Sequence, residues 1–298
     1  MKALASLNKR GKASCISTFD FSTLYTKIPH DKLLEVLDGL TDVCFNGGSR
    51  DYLSVTKSGA RWVNKPSVHG ITFTRESFKD AVKYLMQNCL FTLGDKIFRQ
   101  VIGIPMGSDP APFMANLFLY YYESEHVRKG KKNDIFTARK FRHTFRFIND
   151  LLAINDDGEF ENCFSDIYPE ELELKKEHGG DSVSFLDLSI SIKGRSFVTS
   201  LYDRRDNFPF SIVRMPYKSS NIPSKIFYSS IGAEILRIGR ASTTSEAFTK
   251  SAKEVIQRMF RQGANPSQMT RILKRTYGRH DVLKKFNVNA VEFATSLQ

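Results

Sequence analysis

Residues 145–154 read FRFINDLLAI, two apolar runs, Phe145 to Ile148 and Leu151 to Ile154, on either side of Asn149-Asp150. Asn and Asp favour tight turns, so the stretch predicts a β-hairpin with this pair at its tip. Both arms are too apolar for a ribbon bathed in water, which places the hairpin in a sheet with a covered face. A carboxylate there is either a turn residue or part of a site. A second acid sits in a similar setting, since Cys15 to Phe21 (CISTFDF) predicts a strand with Asp20 among aromatic and β-branched residues. Burying that carboxylate is costly unless it caps a backbone, pairs with a base or binds a metal. If the two strands share a sheet, Asp20 and Asp150 can converge on Mg²⁺.

The intervening sequence alternates helix and turn signals. Leu33, Leu34, Leu37 and Leu40 predict a helix over about 31–40. Phe45 to Ser67 reads as a loop carrying short strands, and Thr74 as the N-cap of a helix running to about Cys89. Phe91 to Leu93 and Lys96 to Gln100 predict a hairpin through Gly94-Asp95. The loop GIPMGSDPAP opens an apolar helix, Phe113 to Tyr122, with no polar face until Glu123, expected to be buried on most sides. Arg128, Lys129, Lys131 and Lys132 read as a solvated linker. Ser184 to Ile192 and Ser196 to Tyr202 alternate like strands, and the pattern beyond residue 222 is helical.

Composition narrows the function classes. With 298 residues, 41% hydrophobic and 26% charged, the chain has the makeup of a globular protein, and its apolar runs are too short to span a membrane. The N-terminus lacks the apolar core of a secretory signal, which predicts an intracellular protein. Four widely separated cysteines predict reduced thiols rather than a disulfide framework or a zinc site. Of the net charge of +12, residues 201–298 hold +10, from 17 Lys and Arg against 7 Asp and Glu. A basic face of this kind suits a phosphate backbone, although acidic proteins and membrane surfaces also select one.

A strand Asp, a Gly-rich loop opening an apolar helix, an acidic hairpin and a basic helical end follow one another in the order of reverse-transcriptase motifs. The chain resembles the reverse transcriptases of Penelope-like retroelements, relatives of telomerase. FDFSTLYTKIPHDKL is similar to their motif A, GIPMGSDPAPFMANLFL to motif B and FRFINDL to motif C. SFLDLSISI with SLYDRRD resembles the stretch that follows the palm, and NIPSKIFYSSIGAEILRIGR the start of the thumb. The resemblance implies an α+β fold, a right-hand polymerase palm of antiparallel sheet backed by helices (residues 1–200), followed by a basic helical thumb (201–298), with the fingers largely missing.

The resemblance also implies RNA-directed DNA synthesis from a primer 3′-hydroxyl, with deoxynucleoside triphosphates and two Mg²⁺ ions, or Mn²⁺, as cofactors. Asp20, the carbonyl of Phe21 and Asp150 become metal ligands, with Asn149 completing the catalytic set. Tyr25 becomes the ring that excludes a ribose 2′-hydroxyl, and Met106 and Gly107 the floor under the incoming nucleotide. Lys175 or Lys176 becomes the acid that protonates pyrophosphate. The thumb's duplex contacts fall to Arg204, Arg205, Arg237, Arg240, Arg258, Arg261, Arg271, Lys274 and Arg275. A nuclear location follows from the resemblance alone. Motif C normally begins its acidic pair with aspartate where this chain has Asn149, and a lost charge weakens a site for hard cations. Low polymerase activity is therefore expected, and a nucleic-acid-binding protein without catalysis is the alternative. No GIY-YIG-like endonuclease motif is present in the sequence.

Overall fold

The computed structural model describes residues 2–45, 51–133, 135, 139, 141–210 and 212–287, in two compact units, residues 19–176 and residues 1–18 with 177–298. The chain begins with helix α1 (Lys2–Lys9), strand β1 (Ile16–Phe21), a single turn α2 (Leu24–Lys27) and helix α3 (His30–Phe45). Strands β2 (Tyr52–Thr56), β3 (Gly59–Val63) and β4 (Ile71–Phe73) form a small antiparallel sheet in the order β3-β2-β4. Next come helix α4 (Arg75–Gln87), the hairpin β5 (Leu90–Leu93) and β6 (Lys96–Arg99), and the long helix α5 (Ala111–Asn133). Hairpin β7 (Thr144–Phe147) and β8 (Asp150–Ile154) precede helix α6 (Glu159–Ile167). Strands β9 (Leu174–Gly180), β10 (Ser182–Phe185), β11 (Leu188–Lys193) and β12 (Ser196–Leu201) follow. Helices α7 (Ser224–Ala241), α8 (Ser245–Arg261), α9 (Pro266–Arg279) and α10 (Asp281–Lys284) close the described chain. Antiparallel strands backed by helices make the fold α+β.

The 145–154 hairpin belongs to a four-stranded sheet of order β7-β8-β1-β9, which puts the strands of Asp20 and Asp150 side by side. Its turn is displaced by one residue from the sequence expectation. Phe147 pairs with Asp150, so Ile148 and Asn149 form the turn and Asp150 is the first residue of β8. Ile148 has φ 57°, the left-handed region that a two-residue hairpin turn demands and a β-branched residue resists. Pairing prevails over local preference here because the register buries Leu151 to Ile154.

Phe19 and Phe21 of β1 point into the core while Asp20, between them, remains half-buried on the other face. Phe19 meets Phe160 at 5.1 Å between ring centroids and Phe21 meets Tyr168 edge-on at 4.9 Å. Helix α5 adds Met114, Ala115, Phe118 and Leu119, whereas Phe113, Leu117 and Tyr120 are exposed. It therefore buries one stripe, not most of its surface, because within this unit it packs on α3 and α6 on one side. Arg128 and Lys129, read as a linker, continue the same helix. A helix needs no apolar face where it runs out into solvent.

In the unit formed by residues 1–18 and 177–298, β10, β11 and β12 make an antiparallel meander. The single strand expected over 184–192 is split by a turn after Phe185, with Leu186 at φ 54°. Alternation continues through a two-residue hairpin, so periodicity alone did not expose the turn. Asn8 of α1 imitates a strand partner, donating to the Phe197 carbonyl at 2.8 Å and accepting from its N–H at 2.7 Å. The helices bury Phe227, Ile231, Ile235 and Ile238 of α7 against Phe248, Ile256, Met259, Leu273 and Leu283. Gly239 allows the α10 approach, since a Cβ there would lie 2.3 Å from Leu283 Cδ2. No described helix is long and apolar enough to cross a membrane.

Thr74 is the N-cap the sequence predicts. Its hydroxyl accepts from Ser77 N at 3.1 Å, and Ser77 Oγ accepts from Thr74 N at 2.8 Å. Thr74→Ala should remove about 1 kcal/mol of unfolding free energy, measurable as a lower urea midpoint at unchanged slope.

Candidate functional site

Asp20 and Asn149 meet across the centre of the four-stranded sheet. The Asn149 amide donates to Asp20 Oδ1 at 2.5 Å, and the Asn149 main-chain carbonyl accepts from Phe21 N at 3.1 Å. The turn residue is thus tied to β1 by both side chain and backbone. An amide suits this contact because its N–H faces a carboxylate oxygen. A second carboxylate at such a distance would repel the first unless a cation or proton lay between them.

The turn is held from behind by Arg146. Its side chain, 10% exposed, donates from Nε to Glu123 Oε1 at 2.6 Å and from one terminal nitrogen to Asn116 Oδ1 at 2.6 Å and the Ile148 carbonyl at 3.1 Å. Tyr168 adds its hydroxyl to Glu123 Oε1 at 2.8 Å, and burial first, then Glu123, holds its proton well above the usual phenol range. Arg146, Glu123 and Tyr168 also line a cavity of about 160 Å³. The sequence reading did not single out these residues. The available signal was an arginine inside an apolar strand and Glu123 closing the apolar run of α5.

The loop before α5 is anchored to the segment after β1. Gly103 N donates to Ile28 O at 2.8 Å, Ile104 N donates to Tyr25 O at 2.7 Å, and His30 Nε2 lies 2.6 Å from Gly103 O. At Gly103, with φ 79°, a Cβ would lie 2.4 Å from the Tyr25 carbonyl, so only glycine fits. Gly107, the glycine singled out from sequence, has φ 97° and open space around it. Met106 beside it is exposed, and Tyr25, on α2, is half-buried with its hydroxyl pKa raised by that burial. Lys175 and Lys176 lie on β9, next to β1. Lys176 reaches Glu161 at 2.5 Å and Lys175 reaches Glu173 at 3.4 Å.

No protein-family model and no curated protein matches the chain. Solved structures do. Telomerase from Candida albicans, in complex with a TWJ fragment of telomeric RNA, matches 100% of this chain and 52% of its own at 11% identity and a TM-score of 0.51. Apo telomerase from Candida tropicalis matches 99% of this chain and 50% of its own, at 11% identity and a TM-score of 0.49. The chain has a telomerase-like reverse-transcriptase fold. It spans about half the length of those telomerases, and at this identity the likeness is one of fold.

Asp20 and Asp150 stand on adjacent strands, and Asn149, beside Asp150, turns an N–H toward Asp20. No cluster of three or more His, Cys, Asp or Glu side chains fit for a metal occurs among the described residues.

The nine basic residues separate into two groups. Arg205 is paired with Asp203, whose carboxyl is lowered to about 2, chiefly by that hydrogen bond. Arg258 lies 3.9 Å from the same carboxylate. Arg237 bridges Glu234 at 3.1 Å and Asp187 at 3.0 Å. Arg204, Arg240, Arg261, Arg271, Lys274 and Arg275 are exposed.

Replacing Arg146 by Met leaves Glu123 without its cation and should cost about 3 kcal/mol in urea unfolding, with Arg146→Lys recovering only part. A loss below about 0.5 kcal/mol would mean that the network does not secure the hairpin.

Proposed function

We propose that the chain is the palm and thumb of a Penelope-like reverse transcriptase, an RNA-directed DNA polymerase of a retroelement whose chemical step is attenuated at Asn149. The observation that carries this reading is the meeting of Asp20 and Asn149 on adjacent segments of one sheet, within a telomerase-like fold. Asp20 and Asp150 would hold a divalent cation, Mg²⁺ or Mn²⁺, which when bound supplies charge stabilisation for nucleotidyl transfer. Tyr25 closes on the sugar of the deoxynucleoside triphosphate, and Gly107 lets template and nucleotide approach the backbone. Lys175 or Lys176 on β9 would donate the proton to pyrophosphate. RNA template and DNA primer lie on the thumb, and the site of action is the nucleus.

The attenuation has a physical cause. Asn149 removes one negative charge and directs an N–H at Asp20 Oδ1, so a cation must break that hydrogen bond to reach the oxygen. The same bond favours a second reading, a duplex-binding protein without catalysis. Primer extension on an RNA template separates the two. Under the first reading the natural protein extends slowly, Asp20→Ala abolishes extension, and Asn149→Asp raises the rate about tenfold, equivalent to about 1.4 kcal/mol in the barrier. Silence from the natural protein and from Asn149→Asp, with duplex binding intact, establishes the second.

Duplex binding has its own test. If the six exposed basic residues of the thumb each neutralise a phosphate, the logarithm of affinity should fall with the logarithm of salt concentration at a slope of about −5. A slope near zero would remove nucleic acid from both readings.

A further inference from the structure

A cleft of about 540 Å³ lies within the C-terminal unit, between the 205–217 segment and the end of α8. One wall is aromatic. Phe208 is 51% exposed and Phe210 62%, their rings 5.4 Å apart, and exposed Tyr217 also lines the cleft. Three rings standing in water represent unfavourable hydration that a folded chain ordinarily covers. The other wall is cationic, formed by Arg258 and Arg261 of α8. Arg261 has no acidic partner among the described residues, and Asp203 is shared between Arg205 and Arg258.

The lining also includes a side chain fixed by its own hydrogen bonds. Gln262 is 6% exposed and lines the cleft. Its side-chain nitrogen donates to Met215 O at 2.9 Å and its main-chain carbonyl accepts from Lys218 N at 2.8 Å, fixing the amide in place. Its Oε1 is buried and accepts no hydrogen bond from any described residue.

We infer that this cleft is a single-stranded nucleic-acid subsite: an unpaired base stacks on the exposed rings of Phe208, Phe210 and Tyr217 and leaves its flanking phosphates to Arg258 and Arg261. Aromatic platforms beside cations are the usual means of holding a single strand, because every base offers a π-face and every linkage a charge. Bare phosphate would need no rings, and an apolar peptide would need no arginines. The inference deepens the proposed nucleic-acid role and rests on it, giving the thumb a place for the unpaired strand beyond the duplex.

The test titrates the full chain with a single-stranded RNA of about eight nucleotides carrying one 2-aminopurine, and with its twin abasic at that position. The duplex is titrated in parallel. Binding should quench the 2-aminopurine, and the abasic strand should bind about tenfold more weakly. The Phe208→Ala/Phe210→Ala protein, altered only at exposed rings, should lose the quench and about tenfold in single-strand affinity while binding duplex as before. Arg261→Glu should weaken both strands without removing the residual quench. Equal affinity for the intact and abasic strands, or an unaltered quench in the double variant, would overturn the subsite and leave the duplex reading standing. Loss of duplex binding with the single-strand result intact would do the reverse, and failure to bind either would refute both.

Discussion

A largely buried guanidinium governs the unit formed by residues 19–176. Arg146 is enclosed by Glu123 and Asn116 of α5 and by the carbonyl of Ile148 in the hairpin turn. A charge at that depth is tolerated only when its donors are satisfied, so the position of α5 and the shape of the turn are fixed together. The left-handed backbone of Ile148 persists because the hydrogen bond to its carbonyl and the burial of β8 outweigh the steric cost. Tyr168 then joins the same carboxylate to the aromatic cluster on β1. One side chain thereby sets the distance between the strand of Asp20 and the turn that carries Asn149.

The chemistry of the site follows from what stands at that turn. An amide can bond to Asp20 directly, where a second carboxylate would repel it. The amide there also carries no negative charge of its own. The glycine at 103 serves the same rigid frame from the other side, since it allows the loop before α5 to lie directly on the Tyr25 carbonyl.

Charge in the C-terminal unit has two uses. Arg205 and Arg237 are internal ties, one holding Asp203 and the other the nearly buried Glu234. Arg240, Arg261, Arg271, Lys274 and Arg275 face water, where the helices present them at positions their apolar stripes leave free, and Arg204 faces water from the segment after β12. The basic excess of the sequence thus overstates the number of cations available to phosphate. Where exposed arginine adjoins exposed aromatic rings, around the cleft lined by Phe208, Phe210 and Arg261, the surface has a chemistry that neither class provides alone.

The sequence by itself determined the N-cap at Thr74, the hairpin at 90–99 and the helices beyond residue 222. These rest on local periodicity and turn chemistry, which act over a few residues and can be read from them. Only the tertiary structure decided that the turn is Ile148-Asn149 with Asp150 inside β8, because register depends on what the opposite face buries. The single buried stripe of α5 and the pairing of Arg205 and Arg237 with acids likewise depended on packing and on partners distant in sequence. The roles of Arg146 and of Gly103 over Gly107 were invisible for the same reason. A charge network and a close backbone approach join residues from different elements, and no local pattern records which elements will meet.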